Sequence, residues 1–250
     1  MPQGFGPRTY QDWMTVDDLC SFRVVVKETE LLILASADLS EQATHHVREV
    51  REQLETYVAD HPEFQASFEP VDVDPQAPVI IRRMASAAKL AGVGPFAAVA
   101  GAVAESVGRA LLSYSDEVIV ENGGDIFTAG HQERIFGIYA GESPLTGKLG
   151  LRINAAQMPC GVCTSSGSVG PSVSYGRADA AIVIAKSTIL ADACATALGN
   201  IIQCVEDIAM GINFAKEIPG IDGAVVIVEG NIGAWGDFEF VKTAVPDQTT

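Results

Sequence analysis

The chain has 250 residues, with 16 Lys and Arg against 32 Asp and Glu, a net charge of −16 and 48% hydrophobic residues. That apolar fraction belongs to a folded protein with a sizeable core and excludes a disordered chain. The acidity repels nucleic acid and anionic membrane surfaces, so no nucleic acid and no membrane is expected as a partner; a phosphate ligand would need the field reversed locally by a metal or by a few placed cations.

The five cysteines are Cys20, Cys160, Cys163, Cys194 and Cys204. An odd count in a chain of this length does not suggest a disulfide framework. The opening residues MPQGFGPRTYQDW lack the basic-then-apolar layout of a leader, and no apolar run reaches the length of a membrane span, so a cytoplasmic protein is expected.

Taken in order, residues 1–20 are rich in Gly, Pro and polar groups and read as an N-terminal arm. Residues 22–27 and 30–35 are β-rich runs joined by a polar turn, which predicts a hairpin. Residues 36–60 carry an apolar stripe at Val47, Val50, Leu54 and Val58, which predicts a long amphipathic helix with Asp38 or Ser40 as its cap. After a loop with three prolines, residues 78–90 return to a helical pattern; Arg82 and Arg83 on it face solvent by default or reach a phosphate. Residues 92–109 begin GVGP and continue as a helix of Ala, Val and Gly, with Pro95 in its first turn. Such small side chains permit close packing, and Glu105 stands at the far end of this apolar surface.

Strands are predicted at residues 117–120 and 126–128 around the tight turn Asn122-Gly123-Gly124-Asp125, where adjacent glycines open backbone angles closed to other residues. Further strands are predicted at 134–140 and 149–154. Residues 160–175, CGVCTSSGSVGPSVSY, read as a Ser- and Gly-rich loop able to nest an anion. A buried strand at 178–185, a helix at 187–200, its extension or a successor at 201–214, a core strand at 223–229 and a last turn and strand at 231–240 complete the chain. Residues 243–250 form a polar tail. The whole predicts one domain over residues 1–250 of the α+β class, with largely antiparallel sheets and packed helices.

Three motifs fail on inspection. Gly92-Val93-Gly94-Pro95-Phe96-Ala97 fits a dinucleotide-binding pattern, but a helix rather than a strand precedes it. Residues 141–148 resemble a P-loop one residue too long, with Leu149 where a hydroxyl must hold Mg2+. Cys160 and Cys163 form one C-x-x-C without a second pair or a nearby His, which argues against zinc and leaves a redox role open.

The stretch 187–200, STILADACATALGN, holds the informative chemistry. Asp192 and Thr196 lie four residues apart on one helix face. A carboxylate within an apolar run needs a partner. Two readings stand: an oxygen half-site for a hard cation such as Mg2+, or an acid in the first turn of a helix capped by Ser187 or Thr188, where the helix dipole favours it.

Three separated stretches now fall in series: residues 92–105, then VIVENGGDI at 118–126, then ADACATAL at 191–198. In this order they resemble the ApbE family of magnesium-dependent FAD:protein FMN transferases. Thr164 and Ser165, with Ser166 inserted before Gly167, resemble its TSG motif. The resemblance spans about residues 78–213 and implies a shorter ApbE-like branch with that fold. It implies Mg2+ held by Asp192 and Thr196 with a backbone carbonyl near Ala98 or Val99. It implies FAD or FMN lined by Gly123, Gly124, Asp125, Thr164, Ser165, Ser166, Gly167 and Arg177. A small-molecule nucleotide and an acceptor protein follow as partners, and a homo-oligomer stays open. Departures are equally plain. The family Lys falls on Ala100, the Asp of the same motif on Glu105, and no His stands in residues 172–177. Arg177 supplies charge for a phosphate but no base. The resemblance therefore implies either a transferase-like enzyme or a nucleotide-binding protein without the chemistry.

Overall fold

A computed structural model describes residues 18–166 and 176–243. Eleven strands and six α-helices among them form three layers, and the predicted α+β class with antiparallel sheets is what the chain adopts. The central layer is an eight-stranded sheet. It contains β1 (Cys20–Val26), β2 (Thr29–Ala35), β3 (Val118–Asn122), β4 (Asp125–Ala129), β7 (Cys160–Ser165), β8 (Ala180–Ala185), β9 (Ile221–Val228) and β10 (Asn231–Gly236). They lie side by side in that order, and every neighbouring pair is antiparallel. The outer layer on one face is a three-stranded sheet of β5 (Arg134–Gly137), β6 (Leu149–Ile153) and β11 (Glu239–Lys242), ordered β11-β6-β5. The other face carries α1 (Ser40–Asp60), α2 (Glu63–Ala66), α3 (Val79–Ala91), α4 (Val99–Leu111), α5 (Thr188–Ile201) and α6 (Ile208–Glu217).

Because both faces of the central sheet are covered, an inner strand such as β8 is apolar at every position rather than alternately. In β8, AAIVIA, the residues Ala181, Val183 and Ala185 join the core under the helices, while Ile182 and Ile184 join the core under the small sheet. Val118 and Val120 of β3 split from Ile119 in the same way, as a side-chain period of two requires. The buried Arg134 fastens the small sheet to the large one by donating to Glu117 at 2.5 Å and to Asp18 at 3.0 Å.

Several boundaries differ from expectation. Residues 160–165 are not loop: Cys160-Gly161-Val162-Cys163 is apolar enough to sit between β4 and β8 as a central strand. Of the two readings of residues 201–214 the successor holds, because the chain leaves α5 at Ile202 and restarts as α6. The cap of α1 is Leu39 without a side-chain bond, and Asp38 instead accepts from the Ser40 N–H at 2.9 Å. The small residues of α4 allow close approach: a Cβ on Gly108 would stand 2.1 Å from the Phe127 ring of β4.

Candidate functional site

Helix α5 begins as expected, with the Ser187 hydroxyl accepting from the Leu190 N–H at 3.3 Å. Its first turn holds no acid of its own. Glu105 reaches in from α4 instead, one carboxylate oxygen accepting from the backbone N–H groups of Thr188 at 2.8 Å and Ile189 at 3.3 Å. The other oxygen accepts from Arg83 at 2.6 Å and Arg109 at 2.8 Å. Glu105 is fully buried; burial pushes its pKa up, and the two guanidiniums outweigh burial and hold it below the usual range. The positive end of the helix is thereby satisfied from outside. Arg83 is Glu105's partner, with 42% of its side chain still exposed. Asp192 lies one residue beyond the first turn and has no helix terminus to serve, which removes the second of its two readings.

Asp192 is 7% exposed, and its Oδ2 accepts from the Gly101 N–H at 2.7 Å. Burial pushes its pKa up to about 7, countered by the backbone at Gly101 and Ala100 and by no Lys or Arg. The contact demands glycine, since a Cβ at 101 would lie 2.6 Å from the Thr188 carbonyl oxygen and 2.8 Å from Asp192 Cβ. From the opposite side, Asn122 Nδ2 donates to the Ala100 carbonyl at 3.0 Å. The start of α4 is held between Asn122 of the Gly-Gly hairpin and Asp192 of α5. Thr196, four residues on, is half-buried and shares the Asp192 face.

The hairpin joins β3 to β4 by two residues, with Asn122 paired to Asp125. Gly123 and Gly124 have φ of +68° and +104°, left-handed angles that such a turn requires and that glycine adopts without strain. No atom lies within 4 Å of a Cβ placed on Gly123, so this backbone borders open space. The Gly124 N–H donates to the buried Glu121 at 2.7 Å. Asp125 is 7% exposed, and its Oδ1 has no hydrogen-bond partner. Burial and the charge of Asp192 push its pKa well up, with Glu121 adding to the same direction; the Cys163 thiol and the Thr164 backbone work against them. The structure thus brings Asp125 and Asp192 from distant parts of the sequence into electrostatic contact.

Beside Asp125, across the β4–β7 pairing, stands Cys163. Its buried thiol donates to the Thr188 carbonyl at 3.5 Å, and burial together with the charges of Asp125 and Asp192 pushes its pKa far up. Cys160 lies in the core on the other face of the sheet. The C-x-x-C is therefore two thiols on opposite faces of one strand, which rules out a dithiol pair. Thr164 is half-buried, and Ser165 and Ser166 are buried at the end of β7. Gly167 lies outside the described residues. Arg177 is exposed at the C-terminal end of α5, where its backbone N–H donates to the Ile202 carbonyl at 2.7 Å.

No three His, Cys, Asp or Glu side chains among the described residues converge as a metal cluster. A cation at this place would rest on two carboxylates supplemented by hydroxyl, carbonyl and water oxygens, a set that suits Mg2+ and not Zn2+. The orphaned Asp125 oxygen and the cation-free Asp192 fit such an ion. A groove of about 490 Å³ along α1 is lined by Glu49, Glu52 and Asp60 beside Tyr57 and His61, and its acidity does not suit a phosphate. Among the described residues no single helix is long and apolar enough to cross a membrane.

Sequence reasoning missed Glu105, Asn122 and Cys163 as parts of this arrangement. For Glu105 a signal was present, an acid four residues before Arg109 in an otherwise apolar helix. Asn122 and Cys163 carry none.

Comparison with known proteins places the chain in a family. The family model described as AbpE bacteria matches residues 11–232. A UPF0280 protein of Methanocella arvoryzae is 42% identical over 215 residues, covering 84% of this chain and 86% of the relative. Another, from Methanocaldococcus jannaschii, is 41% identical over 228 residues, covering 88% and 93%. The flavinyl transferase ApbE of Pseudomonas stutzeri superposes with a TM-score of 0.56 at 17% identity, covering 90% of this chain and 94% of that one. The ApbE protein of Thermotoga maritima does so with 0.57 at 13% identity, covering 86% and 96%; these two likenesses are of fold. With the family model spanning nearly all of the chain and the UPF0280 relatives matching most of its length, the protein belongs to the AbpE bacteria family and is an ApbE-like protein.

Proposed function

We propose that this chain binds a flavin nucleotide, FAD or FMN, together with Mg2+, in the manner implied by its likeness to ApbE flavin transferases. The observation that carries the reading is Asp192: a buried carboxylate with no cationic side chain to neutralise it, beside a second carboxylate with an orphaned oxygen. Buried charges of this kind are held by a metal or a paired cation. Asp192 and Thr196 would hold the ion with a main-chain carbonyl near Ala98 or Val99, and the bound ion would supply charge neutralisation to a pyrophosphate. Gly123 offers open backbone to the nucleotide, with Gly124 and Asp125 beside it in the turn. Thr164, Ser165, Ser166 and Gly167 offer hydroxyls and N–H groups, and Arg177 a positive charge at the site's edge.

In a transfer, the hydroxyl oxygen of an acceptor Thr forms a new bond to the FMN phosphorus, the pyrophosphate P–O bond breaks, AMP leaves, and a base takes the hydroxyl proton. The chain's four His are His45, His46, His61 and His131, none of them in or after the Ser-Gly stretch. This absence favours a second reading, a nucleotide-binding protein acting on a different phosphate compound or on none. Incubation with FAD, Mg2+ and a Thr-containing acceptor protein separates the two. Covalent FMN on the acceptor supports the transferase; tight flavin binding without transfer supports the binding protein; neither binding nor transfer overturns the proposal that the chain binds a flavin nucleotide.

A further inference from the structure

We propose that Asp125 is a direct ligand of the divalent cation, so that the site holds two carboxylates, Asp125 and Asp192, rather than one. This deepens the cation reading above and rests on it. The resemblance assigns the Asp of the Gly-Gly-Asp turn to the nucleotide pocket, and the geometry points elsewhere. The Asp125 side chain does not face open space as Gly123 does; it is 7% exposed, and it stands where β4, β7 and α5 meet. Its Oδ1 is buried and unpartnered. The groups that face it are the Cys163 thiol, the Thr164 backbone, and the carboxylates of Glu121 and Asp192. An oxygen shut away from water beside two further acids is poorly placed to accept from a ribose hydroxyl or a flavin N–H, and well placed for an ion that takes oxygen ligands.

The fold supplies a reason for this placement. The two-residue hairpin fixes Asp125 opposite Asn122. Asn122 holds the Ala100 carbonyl and Asp192 holds the Gly101 N–H. Both carboxylates are thereby referenced to the same two backbone residues, and Glu105 fixes the start of the helix that carries Asp192. No Lys or Arg neutralises either carboxylate, and a divalent ion bound by both supplies that charge.

The test is thermal unfolding of wild type, Asp125→Asn and Asp192→Asn, each without metal and with saturating Mg2+ alone. Wild type is expected to gain stability with Mg2+. Asp125→Asn is expected to gain less from the same Mg2+. Its Mg2+ affinity should fall at least by the roughly 10- to 100-fold that loss of a mere outer partner causes. If Asp125→Asn responds to Mg2+ as wild type does while Asp192→Asn does not, Asp125 is no ligand and only this inference falls. If wild type itself shows no response, the cation reading falls and this inference with it. Should Asp125→Asn fail to fold, anomalous scattering from Mn2+ bound to wild-type crystals decides instead. An ion bonded to both carboxylates supports the inference, and one bonded to Asp192 with Asp125 turned away overturns it.

Discussion

At the scale of single residues, the site depends on close approach as much as on charge. Gly101 lets the start of α4 touch Asp192, and any side chain there collides with the Thr188 carbonyl and with Asp192 itself. Gly101→Ala is expected to destabilise the fold by about 1–3 kcal/mol, the usual cost of overpacking, and to weaken Mg2+ binding by moving Asp192. Urea denaturation and Mg2+ titration read the two effects separately; an Ala variant with unchanged stability would contradict the packing described. Gly123 is the useful contrast. Open space surrounds it, so a substitution there meets only the backbone cost of a left-handed φ, and Gly123→Asn, which tolerates that region, should keep the fold and alter nucleotide affinity alone.

At the scale of elements, α5 is held at its N-terminus by a residue from α4. Glu105 is buried, while Arg83 and Arg109 are 42% and 44% exposed. Glu105→Ala is therefore expected to cost at or below the about 3–5 kcal/mol of breaking a fully buried ion pair, because both guanidiniums keep contact with water. The same carboxyl predicts an acid limit. Its folded pKa lies below its ordinary value, so the stability it contributes is present above the ordinary carboxylate range and is lost as pH falls through the lower folded value. Unfolding midpoints measured downward from pH 6 should drop more steeply for wild type than for Glu105→Gln, and parallel curves would contradict the assignment. The elements themselves were legible in sequence wherever one periodicity held. The α1 stripe, the hairpin over Gly123-Gly124 and the apolar β8 all stand close to where the pattern put them. Strand β7 was not legible, because Gly, Ser and Thr beside two cysteines look like loop until β4 and β8 enclose them. Asp192 and Thr196 could be picked out from spacing; the neighbouring Asp125 could not be linked to them, since that contact is made by the order of strands in the sheet.

At the scale of the whole molecule, the eight-stranded sheet brings together a hairpin, a strand end and a helix that lie about 70 residues apart in sequence between Asp125 and Asp192. Both faces of that sheet are covered, and the hairpin at Gly123 borders open space. The net charge of −16 opposes an anionic nucleotide at every distance beyond contact. Association of FAD without Mg2+ should therefore speed up as salt rises and screens the repulsion, a dependence that stopped-flow flavin fluorescence reads directly; a rate falling with salt would contradict it. The central claim is that one carboxylate on α5 anchors a cation that in turn receives a phosphorylated ligand. Thermal shift of wild type and Asp192→Ala with FAD, with Mg2+, and with both tests it most directly: the account predicts the largest stabilisation of wild type when both are present and none of that gain in Asp192→Ala, and equal stabilisation of the two proteins would contradict it.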